Sequence, residues 1–264
     1  MCIDQIINII IGVCTLSASL IALFTLLEIK RQRKESNKPE PAIKSCLVHI
    51  YGMKFKNYYF PFNFSQELYK DENSIANAFL SDFYIELVNV GIRSAKNILV
   101  EWNFDFNKTL ELIEKDNKDG LFKININSKL LEILFPLNEY KEFNMIENQM
   151  GSKCFDFLLN STPESFDTIR LMFPRVVLKL YLIKLCLVFG YYKKDEKDKN
   201  LLSRIDPLDF PDLELKINYE DIAGVPYLKR FVLRINLVTF TNPMTTELKH
   251  LVGTLQIKAD EVKN

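Results

Sequence analysis

The sequence contains few of the residues from which most catalytic and ligand-binding motifs are built. Its 264 residues include only 8 glycines and 2 histidines, His49 and His250. So few glycines argue against a glycine-rich loop that cradles phosphate, and neither the nucleotide-binding patterns nor the HExxH zinc motif occurs. The Gly-x-Ser-x-Gly nucleophile elbow is absent as well. We therefore predict a protein without catalytic activity, cofactor or bound metal.

The chain also lacks an excess of either charge, because 34 Lys and Arg balance 34 Asp and Glu. Binding to nucleic acid through phosphates needs a clear basic excess, so we predict no nucleic-acid partner. The 5 cysteines are scattered and form no Cys-x-x-Cys pair, which is typical of a reducing compartment. Cys46 and His49 are three residues apart, and in a strand that spacing places them on opposite faces. A nucleophile–base pair at these two residues is therefore disfavoured.

The N-terminus, in contrast, is rich in apolar residues. No residue from Gln5 to Leu27 is charged, and 23 helical residues at about 1.5 Å each span roughly 34 Å, enough to cross a bilayer core. A buried core helix and a cleavable signal peptide are the alternatives. Core helices of this length rarely lack charge, and a signal peptide needs a positive n-region where this sequence has MCID. We predict an uncleaved transmembrane anchor over residues 1–30.

The run ends at Glu28, and four cations follow it, at Lys30, Arg31, Arg33 and Lys34. Short flanks rich in Lys and Arg stay in the cytoplasm, and they lie near anionic headgroups of the inner leaflet. These residues predict a single-pass protein of the cell membrane, with its N-terminus outside. Residues 31–41 form a basic and polar linker, and residues 42–264 form a cytoplasmic domain.

Small residues recur at every fourth position along the predicted anchor, at Cys14, Ala18 and Ala22, with Thr15 and Ser19 beside them and Gly12 one turn earlier. Small side chains let a second helix approach closely, although such stripes also occur by chance in membrane segments. The stripe suggests that the protein associates with itself through this helix, with the lipid bilayer as its other partner.

Strict alternation of apolar and polar residues marks strands along the rest of the chain. The clearest segments are Phe83–Val90, Asn97–Phe106, Leu213–Tyr219, Phe231–Leu237 and Gly253–Ala259. Their spacing predicts a mainly β fold, an antiparallel β-sandwich of immunoglobulin-like type. One N-terminal transmembrane helix and a few short helices complete the predicted architecture.

Less regular segments add further elements. Leu121–Ile126 and Lys129–Phe135 are candidate strands. Arg175–Tyr192 is apolar on both faces and rich in Val, Ile, Tyr and Phe, which favours one long or bent central strand. Short helices are expected at Thr109–Lys115 and around Glu164–Arg170.

Two segments resemble known bacterial sequences. YIELVNVGIRSAKNILVEWNFD, from Tyr84, resembles the strand, Asn-x-Gly, Asn-Ile, strand hairpin of immunoglobulin-like and CARDB-like sandwiches. INYEDIAGVPYLKRFVLRI, from Ile217, resembles a hairpin of poorly characterised bacterial proteins that have one N-terminal anchor and a cytoplasmic β-domain. Together the two segments cover about 40 of 264 positions. The resemblance implies a fold and transfers no catalytic residue.

The segment INYEDIAGVPY, 217–227, contains the strongest candidate for an acidic site. Glu220 and Asp221 could bind a cation or act in catalysis. Asp221 followed by Gly224 three residues later is also typical of a type I turn, which makes the carboxylates part of a solvent-facing hairpin tip. We favour the turn. Asp206, Asp209 and Asp212 lack the spacing of an EF-hand and are interpreted as turn residues of an exposed connection.

An aromatic segment, KFKNYYFPFNF, follows the predicted linker closely. It is either a core strand interrupted at Pro61 or an aromatic contact patch for a partner, because aromatic residues are enriched at interaction hot spots. The candidate patch consists of Phe55, Tyr58, Tyr59, Phe60, Phe62 and Phe64.

These features predict a membrane-anchored protein that presents a cytoplasmic β-sandwich to an unknown cytoplasmic protein or ligand, for binding or sensing. The alternative is a membrane effector, for example in bacterial antiviral defence. In that case the β-domain senses a ligand and the anchor oligomerises to perturb the membrane.

Overall fold

The computed structural model describes residues 3–36, 38–55, 58–68, 83–117, 122–126, 130–134, 141–145, 149–160, 167–189, 209–240 and 251–262. This part of the chain is mainly β and wholly antiparallel in its sheets, with three helices. The helices are α1 (Ile3–Ser36), α2 (Phe106–Asp116) and α3 (Arg175–Phe189). The strands are β1 (Pro41–Ile43), β2 (Cys46–Phe55), β3 (Tyr58–Ser65), β4 (Tyr84–Asn89), β5 (Ala95–Asn103), β6 (Lys123–Ile126), β7 (Leu130–Leu134), β8 (Lys141–Met145), β9 (Lys153–Leu158), β10 (Thr168–Met172), β11 (Leu213–Asp221), β12 (Pro226–Phe240) and β13 (Leu251–Glu261).

The largest sheet has seven strands in the order β3-β2-β13-β12-β11-β5-β9, and it curls like half a barrel. Its central strands alternate as their sequences predict: Leu213, Leu215, Ile217 and Tyr219 of β11 are buried. Phe231 opposes Leu215 across the hairpin between β11 and β12. The one-residue alternation places these apolar side chains on a single face, so the concave side of the sheet forms the core.

Two smaller sheets complete the β structure, one in the order β1-β4-β10 and the other a β6-β7-β8 meander. The strands flanking Asn89-Val90-Gly91 were expected to form a hairpin. That prediction is wrong, because β4 pairs with β1 and β10 whereas β5 pairs with β11 and β9. The Asn-x-Gly segment is instead a crossover between two sheets.

Helix α3 lies within the core, and it corrects the prediction of a strand over Arg175–Tyr192. Every residue from 176 to 185 is buried, including Lys179 and Lys184, and hydrophobic residues occupy all faces, as expected for a helix surrounded by protein. A uniformly apolar segment has no period that separates strand from helix, and its length is the better guide. Pro174 directly precedes the helix, and its carbonyl accepts the first turn's hydrogen bond from Val177 N at 3.1 Å.

Of the two predicted short helices, the structure confirms one and contradicts the other. Helix α2 confirms the expected helix at Thr109–Lys115, and Asp105 caps it by accepting from Lys108 N at 2.9 Å. The helix expected around Glu164–Arg170 is wrong in its described part, because Thr168 begins strand β10, which pairs with β4. That pairing with a distant strand overrides a weak local helical preference.

Aromatic contacts join the small and large sheets. Phe173 lies 5.3 Å from Phe83 and 5.9 Å from Trp102, measured between ring centroids. Phe83 precedes β4, whereas Trp102 belongs to β5 in the seven-stranded sheet. These rings therefore connect both sheets to the start of α3 through one continuous core.

Candidate functional site at the junction of anchor and domain

Helix α1 is the one helix in the described chain that is long and apolar enough to cross a membrane, over Ile11–Gln32. None of this segment is buried by the rest of the protein. Its four hydroxyl side chains donate to backbone carbonyls four residues earlier, at 2.8 to 2.9 Å: Thr15 to Ile11, Ser17 to Val13, Ser19 to Thr15 and Thr25 to Ile21. Such bonds satisfy polar groups without water, which a hydrocarbon environment requires.

The predicted small-residue stripe lies on this exposed helix. Cys14, Ala18 and Ala22 are exposed in the single chain, and a Cβ atom placed on Gly12 would meet nothing within 4 Å. Among the orienting cations, Lys30 and Arg31 are exposed near the end of the apolar span. Arg33 and Lys34 belong to the helix, but their side chains lie outside the described residues.

Directly after α1, residues 38–40 are fastened to the domain. Glu40 N donates to Asn89 Oδ1 at 2.8 Å, and Val90 N donates to Glu40 O at 3.0 Å. Gly91 packs so closely beneath this segment that a Cβ atom there would lie 2.5 Å from both Glu40 N and Lys38 O. Only glycine allows such an approach, so the crossover between β4 and β5 supports the segment 38–40 that follows α1.

Side chains from β11 and β12 secure the same segment from the other side. The buried Tyr219 hydroxyl donates to Pro39 O at 3.2 Å. Lys229 is only 8% exposed, and its Nζ lies 3.0 Å from Glu40 Oε1 and 3.0 Å from Glu261 Oε2. The hydrogen bond from Lys229 holds the pKa of Glu40 below its ordinary value. We call residues 38–40 with Asn89, Gly91, Tyr219, Lys229 and Glu261 the clasp.

The acidic pair at 220–221 lies beside the clasp and has a structural role, as the turn hypothesis predicted. Gly224 N donates to Asp221 O at 2.9 Å, and Gly224 has a φ of 82°. This is a type I turn followed by a left-handed glycine. Asp221 is not solvent-facing, which corrects one part of that hypothesis. It is 8% exposed and accepts from Val225 N at 2.9 Å and from Tyr227 Oη at 3.3 Å.

Glu220 is likewise engaged within the sheet. Its Oε2 accepts from Asn97 Nδ2 at 3.0 Å and lies 4.0 Å from Lys96 Nζ. Asn97 has a φ of 50° at the irregularity where the register of β5 and β11 shifts, a left-handed conformation that Asn tolerates better than most residues. The two carboxylates therefore stabilise a hairpin and a bulge.

Cys46 and His49 are three residues apart in the regular part of β2, so their side chains lie on opposite faces of the sheet. Burial raises the pKa of the Cys46 thiol to about 11, so the thiolate is scarce near neutral pH. Burial lowers the pKa of His49, whose Nδ1 lies 3.2 Å from Thr254 Oγ1. Each residue has a packing role within β2.

In the aromatic segment, the structure describes one of the six candidate side chains, that of Phe64. Phe64 is a core residue: it is 3% exposed, and its ring meets Phe83 edge to face at 6.4 Å. The prediction of a contact patch is therefore wrong at Phe64. The strand backbones of β2 and β3 are described, but the side chains of the other five candidates, Phe55, Tyr58, Tyr59, Phe60 and Phe62, lie outside the described residues.

Two of the three remaining acidic candidates, Asp209 and Asp212, lie in the described residues. Asp209 and Asp212 are exposed, with Asp212 Oδ1 3.9 Å from Arg234 Nε, and Asp206 lies outside the described residues. Across the described ranges, no three His, Cys, Asp or Glu side chains come together as metal ligands. A groove of about 280 Å³ lies between α2 and β6, and its lining is mixed: Leu110, Ile113, Phe122 and Ile124 with Glu114, Asn117, Lys123 and Asn125.

Sequence reasoning missed the clasp, although two of its signals are local. Gly91 follows Asn89 in an Asn-x-Gly pattern, and Pro39 and Pro41 stiffen the segment after α1. The partners Tyr219 and Lys229 lie about 180 and 189 residues away from it. Local patterns therefore could suggest a special turn at 89–91 but could not show which segment fills it.

Comparison of the chain with protein-family models, with curated proteins and with solved structures finds no match.

Proposed function

We propose that this chain is a single-pass membrane protein that presents a cytoplasmic β-domain for protein binding or sensing. One observation carries the proposal: a fully exposed apolar helix leads, within three residues of its end at Ser36, into a segment fastened to the domain. A helix with this composition lowers its free energy by entering a bilayer. The clasp then fixes which end of the β-domain lies nearest to the membrane.

The cations at the end of the apolar span support an N-terminus outside and a domain inside the cell. Lys30 and Arg31 lie within four residues of Leu27, the end of the uncharged run, and such residues remain on the cytoplasmic side. We further propose that the β1-β4-β10 sheet acts as the second layer of a sandwich of immunoglobulin-like type. The contacts of Phe173 with Phe83 and Trp102 support this layering.

Membrane integration and orientation can be tested in one host with two C-terminal fusions. Alkaline extraction should leave the full chain in the membrane pellet, whereas a variant lacking residues 3–36 should be released. A C-terminal fluorescent protein should fluoresce, and a C-terminal alkaline phosphatase should be inactive. Reversing the four cations to Glu should weaken or invert that pattern. Release of the full chain by alkali, or an active phosphatase on the unaltered chain, would contradict the proposal.

A second candidate function is a membrane effector whose anchor oligomerises when the β-domain binds a ligand. It is favoured by the combination of an uncovered small-residue stripe and a clasp that couples the domain to the helix. Cys14 lies on the stripe, so oxidative crosslinking in membranes should trap a dimer in a Cys2→Ser background and not in one that also carries Cys14→Ala. Effector action further requires that induced expression dissipates the membrane potential. An intact potential with the crosslink present would leave only the binding function.

A further inference from the structure

Four aliphatic side chains protrude from one end of the seven-stranded sheet. Val90 and Ile92 are 62% and 64% exposed, and Leu159 and Ile222 are each 53% exposed. They come from three separate connections: the β4–β5 crossover, the residues after β9 and the β11–β12 turn. We call these four residues the apolar rim.

Strand pairing places the three connections side by side. Ala95, the first residue of β5, is paired with Asp221 on one side and with Leu158 on the other. Ile222 and Leu159 are the next residues along those two strands, and the crossover enters β5 at the same level. Lys96 Nζ also donates to Ile222 O at 3.3 Å. The rim is therefore one row of loop tips at a single edge of the domain.

The anchor reaches the domain at this same edge. Val90, a rim residue, donates its N–H to Glu40 O at 3.0 Å, and its neighbour Gly91 packs against Lys38 and Glu40. The rim and the entry point of the chain are thus parts of one loop cluster. The rim therefore lies at the edge of the domain where the chain arrives from α1.

The connection is short enough to bring the rim to the headgroups. The first charge after the apolar run is Glu28, and eight helical residues from there to Ser36 rise about 12 Å. Roughly 5 to 8 Å of this rise lies within the headgroup layer of one leaflet. A usual helix tilt of about 20° shortens the rise measured along the membrane normal. The three residues from Ser36 to the buried Pro39 can return the chain toward the bilayer by at most about 10 Å.

We propose that the apolar rim rests on the inner leaflet, with Val90, Ile92, Leu159 and Ile222 entering the headgroup layer. This inference rests on the proposed membrane anchoring and adds a second contact between domain and lipid. Arg93 is exposed beside Ile92 and suits anionic headgroups. The carboxylates near the rim are partly compensated, because Lys229 pairs with Glu40 and Glu261, and Lys96 Nζ lies 4.0 Å from Glu220 Oε2.

The test is depth-dependent fluorescence on the full chain in lipid nanodiscs. An environment-sensitive dye is attached at Ile92→Cys, in a background carrying Cys2→Ser, Cys14→Ala and Cys154→Ser. Ile92 is well exposed, so the substitution leaves the packing unchanged. Cys46 and Cys186 remain, and labelling of the background alone corrects for them.

The matched control is Val238→Cys. Val238 is also 53% exposed, but it lies near the end of β12, at the opposite end of the sheet from the clasp. We expect blue-shifted emission at position 92 and several-fold stronger quenching by headgroup-brominated or spin-labelled lipid than at position 238. Nanodiscs that contain anionic phosphatidylglycerol should strengthen the difference relative to phosphatidylcholine alone.

Equal lipid quenching at the two positions, with the chain integrated in the nanodisc, would overturn the rim contact and leave the anchor intact. Protection of position 92 from iodide without lipid quenching would indicate a protein neighbour and would also overturn it. A chain that leaves the lipid on alkaline extraction would contradict the anchoring and the rim contact together.

Discussion

At the scale of single residues, the clasp depends on Gly91 more than on any charged group. The Gly91 backbone supports residues 38–40 because no side chain separates the two segments. The glycine is therefore required for a close approach, whereas its φ is not left-handed: Gly224 is the glycine that adopts a positive φ in the described structure.

Replacement of Gly91 by Ala should destabilise the domain by about 1–3 kcal/mol, because the new Cβ would overlap backbone atoms that cannot rotate away. The matched control is Ile92→Ala in the same loop, which should change stability by less than about 0.5 kcal/mol. Urea unfolding in detergent measures both. Hydrogen exchange at Val90 N–H should accelerate in the Gly91→Ala protein, and unchanged protection would contradict this account of the clasp.

The clasp also makes stability depend on pH, through Glu40. Hydrogen bonding to Lys229 lowers the folded-state pKa of Glu40 below 4.5. A lowered carboxyl pKa contributes stability that is present above the unfolded value and is lost as pH falls through the folded value. The unfolding midpoint should therefore decline as pH falls from about 5 to about 3. Glu40→Gln should flatten that decline.

Glu214→Gln is the control for this effect, since Glu214 is exposed at the far end of β11 and its Oε2 accepts from Asn103 Nδ2, which is not a clasp residue. Its pH profile should follow that of the unaltered chain. If Glu40→Gln leaves the acid decline as steep as before, then the pairing of Glu40 with Lys229 does not contribute to acid stability.

At the scale of elements, α3 shows what a sequence pattern can and cannot decide. Strands β11 to β13 were predictable because each has one wet face, and burial of alternate residues leaves a readable period. Helix α3 is buried along residues 176–185, with hydrophobic residues on every face, so its sequence shows no clear apolar period. Its two lysines, Lys179 and Lys184, also lie inside the core.

One of those lysines connects α3 to α2. Lys184 is 5% exposed, and its Nζ donates to Leu112 O at 3.1 Å and pairs closely with Asp116. Asp116 is more accessible than its partner. Removing the charge of Asp116 and removing the charge of Lys184 should therefore change the stability by different amounts.

Asp116→Ala leaves a buried ammonium without its counter-charge and should cost about 3 kcal/mol. Lys184→Met replaces the ammonium by an apolar side chain of similar length and leaves a carboxylate that water can reach, so its cost should stay within about 1 kcal/mol. Chemical unfolding of both variants and of the double variant measures this asymmetry. Equal losses for the two single variants would contradict it.

At the scale of the whole molecule, the site lies between segments that are distant in sequence, which explains why it could not be predicted. The apolar anchor and the Asp221–Gly224 turn are local patterns, and both were predicted from residue type and spacing. The clasp unites residues 38–40, 89–91 and 219–229 through sheet topology. A single sequence contains no signal for such pairing beyond the special residues Gly91 and Pro39.

An insertion between α1 and the domain should leave stability unchanged if it precedes the clasp and should lower stability if it follows residues 38–40. A short Gly-Ser insertion after Ser36 lies outside the clasp, so the unfolding midpoint should not change, since added loop length costs little. The same insertion after Glu40 separates the clasp from β1 and should lower the midpoint. Equal midpoints for the two insertions would show that residues 38–40 do not stabilise the domain.

The position of β11, β12 and β13 in the middle of the large sheet has a consequence for biosynthesis. Strand β2 cannot pair with β13 until β13 has been synthesised, because the paired residues His49 and Thr254 are 205 residues apart in the sequence. At translation rates of about 5–20 residues per second, that delay is roughly 10–40 s. During this delay, helix α1 has already left the ribosome, but the first strands of the sheet still lack the central strands with which they pair. With the membrane anchoring proposed above, a nascent chain halted before β11 would be held at the membrane with its strand edges open, as a substrate for chaperones.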